Sequence, residues 1–221
     1  MRTLRSIGLD PNTGVFINCP FDRNFEPILH AIVFTIACCG FMPRSAIESG
    51  AGAVPRMERI VRAIEGSRYS IHDFSRCRGE GDANLARFNM PLELGIAMAQ
   101  RFGRARRRRT HDWLLVPAGH DYQRFVSDLA GYDPVPYDGT AETAVPAVMA
   151  WLTTRPDAIP TSTTPEDVLR ALPASRGEVN ALNARWHGHL TWSRLVDTAS
   201  LVARRAGLIP GGPCASGQAS P

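Results

Sequence analysis

The chain has 221 residues, 44% of them hydrophobic, with 25 basic against 21 acidic side chains and a net charge of +4. That length suits one domain with an extension, or two small ones, with ample apolar content for a core. No apolar run reaches the roughly 18 residues of a membrane span. Met1 to Asn12 lacks the apolar stretch of a signal peptide. The five cysteines (Cys19, Cys38, Cys39, Cys77, Cys214) show neither a CxxC motif nor a disulfide-scaffold spacing. Reduced thiols in a cytoplasmic protein with no membrane partner are the expectation.

Val15-Phe16-Ile17 is a short apolar run stopped by Asn18-Cys19-Pro20, as a buried strand entering a loop would be. Asn24 to Cys39 is expected to be a helix: Asp22 or Asn24 caps it, Pro27 lies near its start and Gly40 ends it. Phe41 to Ile47 is expected as the second strand, Arg56 to Glu65 as an amphipathic helix and Arg68 to Phe74 as the third strand. A loop rich in Gly, Asp and Arg leads to a helix around Glu93. Asp112 to Val116 is expected as a fourth strand, Pro134 to Tyr137 as a short fifth, and Thr140 to Thr153 as a closing helix. Strands alternating with helices imply an α/β fold, a flavodoxin- or Rossmann-like parallel five-stranded sheet covered on both faces. This unit spans 13–155. A Pro/Thr linker opens a helical C-terminal extension over 156–209, with helices at Pro165 to Leu172 and Glu178 to Ala206. The Gly/Pro/Ser-rich stretch 210–221 is expected to be disordered.

Asn89-Met90-Pro91-Leu92-Glu93-Leu94-Gly95-Ile96-Ala97 is the most informative segment. Proline favours the first turn of a helix, where its missing N–H costs nothing. Glu93 then sits in the same turn, near the positive end of the helix dipole. Complementing that dipole is the ordinary role of such a glutamate. Here, however, its neighbours are leucines, and Gly95 weakens the helix, which suggests a close approach to the backbone.

Ligands of open parallel α/β sheets bind at the carboxyl ends of the strands. The loops expected there carry Asn18, Cys19, Pro20, Phe21 and Asp22, then Arg44 to Glu48, then His72, Asp73, Ser75 and Arg76, then Asn89, Met90 and Glu93. Carboxylates, an amide, an aromatic ring and arginines suit a polar sugar or nucleotide. Polar residues also collect in loops without any function.

Val15-Phe16-Ile17-Asn18-Cys19-Pro20-Phe21-Asp22, Tyr69-Ser70-Ile71-His72-Asp73-Phe74-Ser75 and the Glu93 segment together resemble one superfamily. It unites nucleoside 2-deoxyribosyltransferases, nucleoside-phosphate N-glycosidases and Toll/interleukin-1 receptor (TIR)-like domains. The resemblance covers roughly residues 13–155. It implies that Glu93 matches the glutamate that attacks the sugar's anomeric carbon, at the start of a Met-Glu-Leu-Gly type helix. Asp73 matches, by order and context, an aspartate that binds or activates the nucleoside. Deoxyribosyltransferases carry a second acidic residue just before the nucleophile; here that stretch reads Leu85-Ala86-Arg87-Phe88-Asn89, and Asp82 lies farther back. Asn89 replaces it only as a hydrogen-bonding group, which argues against base exchange more than against glycosidic cleavage. Bacterial TIR-like members often degrade NAD in phage defence, and enzymes of this kind often complete their pocket with a neighbour's residues, so a homo-oligomer is implied.

Cleaving an N-glycosidic bond builds positive charge at the anomeric carbon, which a carboxylate beneath it stabilises or captures covalently. Arg44, Arg76 or Arg87 would pair with a phosphate, and Phe21 or Phe88 would stack on a base or pack in the core. Cys19 is a weak candidate nucleophile, since no paired histidine is visible and buried free cysteine is common. His187-Gly188-His189 lacks the further ligands a metal needs, so no metal site is expected. Arg104 to Arg109, five arginines in six residues, is either a contact for nucleic-acid phosphates or, the preferred reading, a solvated helix end. No Walker loop or GxGxxG follows the first strand. No cofactor is therefore expected, and NAD enters only as a substrate. The expectation is an N-glycosidase acting on NAD or a nucleoside monophosphate. Its rivals are a module that binds a nucleotide signal without turnover and a self-associating TIR-like interaction domain.

Overall fold

A computed structural model describes residues 13–48, 52, 54–75, 89–102, 111–116, 121–124, 126–129 and 131–209. Arg76, Asp82, Arg87, Phe88, the arginine run 104–109 and the tail 210–221 lie outside the described residues. Four parallel strands, β1 (Gly14–Asn18), β2 (Met42–Arg44), β3 (Tyr69–Asp73) and β4 (Asp112–Val116), form a sheet in the order β2-β1-β3-β4. The helices are α1 (Glu26–Cys38), α2 (Arg56–Glu65), α3 (Asn89–Phe102), α4 (Ala141–Thr153), α5 (Pro165–Arg185) and α6 (Trp192–Arg205). The architecture is α/β and compatible with a Rossmann-like fold.

Alternation along the strands assigns the two faces. Val15, Ile17, Tyr69, Ile71, Leu114 and Val116 share one hydrophobic cluster with α1 and α4. Phe16 packs on Ile60 and Ile64 of α2 and Ala97 of α3, while Trp113 and Leu115 pack near Leu94. From Ala31 to Cys38 no residue of α1 is more than 2% exposed, as expected of a helix that is apolar all round. Its one buried hydroxyl, Thr35 Oγ1, donates to Ala31 O at 2.7 Å, so burial leaves nothing unsatisfied.

The sheet has four strands among the described residues, where the sequence suggests five. Pro134 and Pro136 remove half of the amide donors of Pro134 to Tyr137 and hold φ at roughly −65°. One bond to β4 remains, Val135 N–H donating to Leu115 O at 3.0 Å.

The extension also differs in detail. Pro173 does not end a helix; α5 runs through it from Pro165 to Arg185. Thr164 and Asp167 form a reciprocal capping box at its start. Val168, Leu172 and Val179 are buried on the core it shares with α1, and that packing outweighs the roughly 3 kcal/mol cost of an internal proline. The break falls instead after Trp186. His187 at φ 50° and Gly188 at φ 81° are left-handed, and Gly188 N–H donates to Asn183 O at 2.9 Å, closing a Schellman turn. His187 and Gly188 therefore serve the turn. Trp192 is buried and its Nε1–H donates to Pro43 O at 3.3 Å, so it packs the extension onto the α/β unit. Trp186 is 42% exposed, with the Arg194 guanidinium 5.6 Å from its ring centre.

Candidate functional site

In the order β2-β1-β3-β4 the chain leaves β1 toward one side, then returns to add β3 on the other. The carboxyl ends of β1 and β3 therefore flank a topological switch point, where such sheets open a crevice. Asn18 ends β1 and Asp73 ends β3. They project to opposite faces, since Asn18 is level with His72 rather than with Asp73.

Asp73 is 1% exposed and well supplied with donors. Its Oδ1 accepts from Ser75 N at 2.9 Å and Ser75 Oγ at 2.5 Å, and its Oδ2 accepts from the Tyr137 hydroxyl. Burial, reinforced by the charge of Asp73 and the hydrogen bond to it, pushes the Tyr137 phenol far above its usual range, so it remains a donor.

Glu93 reaches the same edge from the other face. Among the described residues the helix is already present at Asn89, two residues before Pro91. Glu93 is therefore at least one full turn in, farther from the dipole's positive end than its proline suggests. Leu94 and Ala97 anchor that turn at 1% and 0% exposure. Glu93 itself is 6% exposed, and burial raises its pKa to about 7 against the opposing pull of Arg56. Gly95 is exposed, and a Cβ built there meets nothing within 4 Å among the described residues. The close approach suggested by that glycine is absent among them.

The Cys19 thiol joins the two carboxylates. Burial first, then the charges of Asp73, Glu93 and Asp22, push its pKa well above the ordinary thiol value. Three carboxylates thus surround a protonated thiol, which makes Cys19 a neutral lining group and a poor nucleophile. Asp22 also turns the chain into α1, its Oδ1 accepting from Asn24 N at 3.1 Å and Phe25 N at 3.2 Å.

Below the edge, a line of buried polar groups crosses the α2/α3 face. Asn18 Nδ2 donates to Met90 O at 3.0 Å and lies 2.9 Å from His72 Nδ1. His72 Nε2 is 2.8 Å from Ser70 Oγ, which is 2.9 Å from His111 Nε2. His111 Nδ1 reaches Ser67 O at 3.2 Å. Burial, with His111 beside it, lowers the His72 pKa to about 3, so this imidazole is neutral.

Asn18, Cys19, Asp22, Asp73, Ser75, the Met90 carbonyl and Glu93 thus come together. Pro20 is buried in the connection, Phe21 is 40% exposed and Asn89 is exposed at the helix start. Arg44 does not join them. Its side chain runs along Gly14 and Gly66 toward the opposite, amino edge of the sheet, where it pairs with Glu48 and donates to Gly66 O at 3.3 Å. The cation sensed by Glu93 is Arg56, at the first position of α2. Sequence reasoning missed Arg56, Tyr137, Ser70 and His111. Ser70 and His72 had a signal in the alternation Tyr69-Ser70-Ile71-His72-Asp73, which sets them on one face; Tyr137 and His111 had none, being distant in sequence.

No family model matches the chain, and neither does a curated protein or a solved structure. Among the described residues no group of His, Cys, Asp and Glu side chains is arranged to hold a metal ion, and no helix is long and apolar enough to cross a membrane.

Proposed function

We propose that this protein cleaves the N-glycosidic bond of a nucleotide, by hydrolysis or transfer, with NAD and nucleoside monophosphates as the leading substrates. The observation that carries the reading is Glu93, a buried carboxylate at the switch-point edge with its pKa raised to about 7 and no described side chain donating to it. A carboxylate stripped of water in this way is stabilised by a positive charge brought close to it, and an anomeric carbon losing its base supplies one.

In the proposed reaction, Glu93 Oε bonds to the anomeric carbon while the electron pair of the C–N bond leaves with the base. Water then cleaves the glycosyl ester, or an acceptor takes the sugar. Nicotinamide departs neutral, because its ring nitrogen is cationic in NAD, whereas other bases need a proton. Asp73, held by Ser75 and Tyr137, orients the sugar or base, and Arg56, whose charge acts on Glu93, is a described cation for a phosphate. The resemblance to TIR-like proteins extends this reading to a homo-oligomer acting in bacterial phage defence.

Incubating the protein with NAD and a panel of nucleoside monophosphates, with base release followed by chromatography, tests the reading. Release by the wild type and none by Glu93→Gln supports it. Binding without release by the wild type would favour a nucleotide-signal module instead.

A further inference from the structure

The line of buried groups under the sheet edge has a direction, fixed where Asn18 meets the Met90 carbonyl. At its lower end Ser67 O is a carbonyl and only accepts, so His111 Nδ1, 3.2 Å away, carries the proton. With His111 Nε2 as the acceptor, Ser70 Oγ–H donates to it and His72 Nε2–H donates to Ser70. That leaves His72 Nδ1 as an acceptor facing Asn18 Nδ2 at 2.9 Å. At the upper end Met90 O is also a carbonyl, so the Asn18 atom 3.0 Å from it must be the amide nitrogen. This end fixes the polarity: Asn18 Nδ2–H donates to His72 Nδ1, so His72 carries its proton on Nε2 and donates to Ser70 Oγ. The chain meets a carbonyl at Met90 O and another at Ser67 O, and its physical effect is to hold an orientation.

We infer that this buried chain locks the Asn18 amide with its nitrogen inward, so that Asn18 Oδ1 accepts a hydrogen bond from the ligand and selects for a donor there, namely a ribose hydroxyl. The hydroxyl assignment rests on the N-glycosidase reading; the direction of the amide does not. Asn18 is 2% exposed, both hydrogens of its Nδ2 are engaged, and no described residue donates to Oδ1. That oxygen is not among the fully enclosed side-chain atoms without a partner, so it is open to a donor on a ligand. Its neighbours across the edge, Glu93 and Asp73, are carboxylates, so the described lining is rich in acceptors. Ser70, His72 and His111 act through Asn18 and are positioning residues. The Nδ2–H bond to Met90 O also ties the end of β1 to the turn of α3 that carries Glu93.

Two measurements test the inference. Long-range proton–nitrogen NMR on protein labelled with 15N-histidine reads the tautomers directly. His72 is expected as the neutral Nε2–H form and His111 as the Nδ1–H form, with His72 unchanged down to pH 5, and Ser70→Ala should release His72 from its single tautomer. Calorimetric titration of the Glu93→Gln protein then compares NAD with analogues lacking the 2′- or the 3′-hydroxyl of the nicotinamide ribose. One of the two analogues is expected to bind about tenfold more weakly than NAD, a preference that shrinks to about twofold when Asn18→Ala is added. Should the Asn18→Ala protein fail to fold, Ser70→Ala must reduce the same preference. His72 found as the Nδ1–H tautomer, or a preference untouched by these variants, overturns the proposal while the glycosidase reading stands. Expected tautomers with no binding of NAD or any nucleoside monophosphate overturn the ligand assignment and the functional reading together.

Discussion

Tyr137 donates its hydroxyl proton to Asp73 Oδ2 inside the protein, joining residues 64 positions apart in the chain. This bond fastens the segment before α4 to the end of β3, and Tyr137 and Ser75 are donors to a carboxylate that is 1% exposed. Tyr137→Phe removes a donor and leaves a charged acceptor buried. Unfolding in urea is expected to show a loss of about 1 to 3 kcal/mol. Turnover of the substrate found by the base-release assay should fall with it. Asp73→Asn should retain more activity than Asp73→Ala, because the asparagine oxygen still accepts. Wild-type binding and turnover in Asp73→Ala would place the end of β3 outside the site.

Glu93 makes the pH behaviour specific. Its pKa is raised from 4.5 to about 7 in the folded protein, so between those values the folded state holds more protons than the unfolded one. The sign follows: the stability tied to this group is full below about pH 4.5, declines as pH rises and is lost above about pH 7, amounting to up to about 3 kcal/mol. Glu93→Gln carries no charge to bury. It should melt higher than the wild type at pH 8, and the difference should vanish near pH 4.5. Its turnover should fall by at least about a thousandfold. In the wild type, the rate should rise through an apparent pKa near 7, since the anion is the nucleophile. A variant with full activity, or a profile flat from pH 5 to 8, contradicts the role given to Glu93.

At Gly95 the helix carries a cost with no described contact to explain it. Gly95→Ala should stabilise the fold by about 0.5 to 1 kcal/mol in chemical denaturation. Base release should stay within about twofold of wild type. A large loss of activity without a loss of stability would restore the close approach that the sequence suggested.

The proposed homo-oligomer makes a separate prediction. Trp192 is committed to the core, so Trp186 is the tryptophan of the extension left on the surface, at 42% exposure. Phe102 and Leu92 of α3 are also exposed, at 63% and 51%. Size exclusion with light scattering should show a multimer at assay concentrations. A fully active monomer at every concentration would remove the shared-pocket idea.

Where local pattern dominates, the sequence determined the structure by itself. The bounds Arg56 to Glu65 and Asp112 to Val116 match α2 and β4, because a strongly amphipathic helix and a short apolar strand each advertise their period. The alternation of strand and helix determined a parallel sheet, and with it the edge where Asn18, Asp73 and Glu93 meet. Tertiary structure decided the rest. Pro173 reads locally as a helix end, yet burial of Val168, Leu172 and Val179 carries α5 through it. Arg44 stands beside the expected site in sequence, yet its guanidinium is drawn to Glu48 and Gly66 O at the far edge. The partners of Asp73 and His72 are Tyr137 and His111, 64 and 39 positions onward through the chain, the second by way of Ser70. Helix and strand periods arise from neighbouring residues, so sequence reveals them. A buried polar group takes whichever donor the fold brings within about 3 Å, and that choice is made only when distant segments pack.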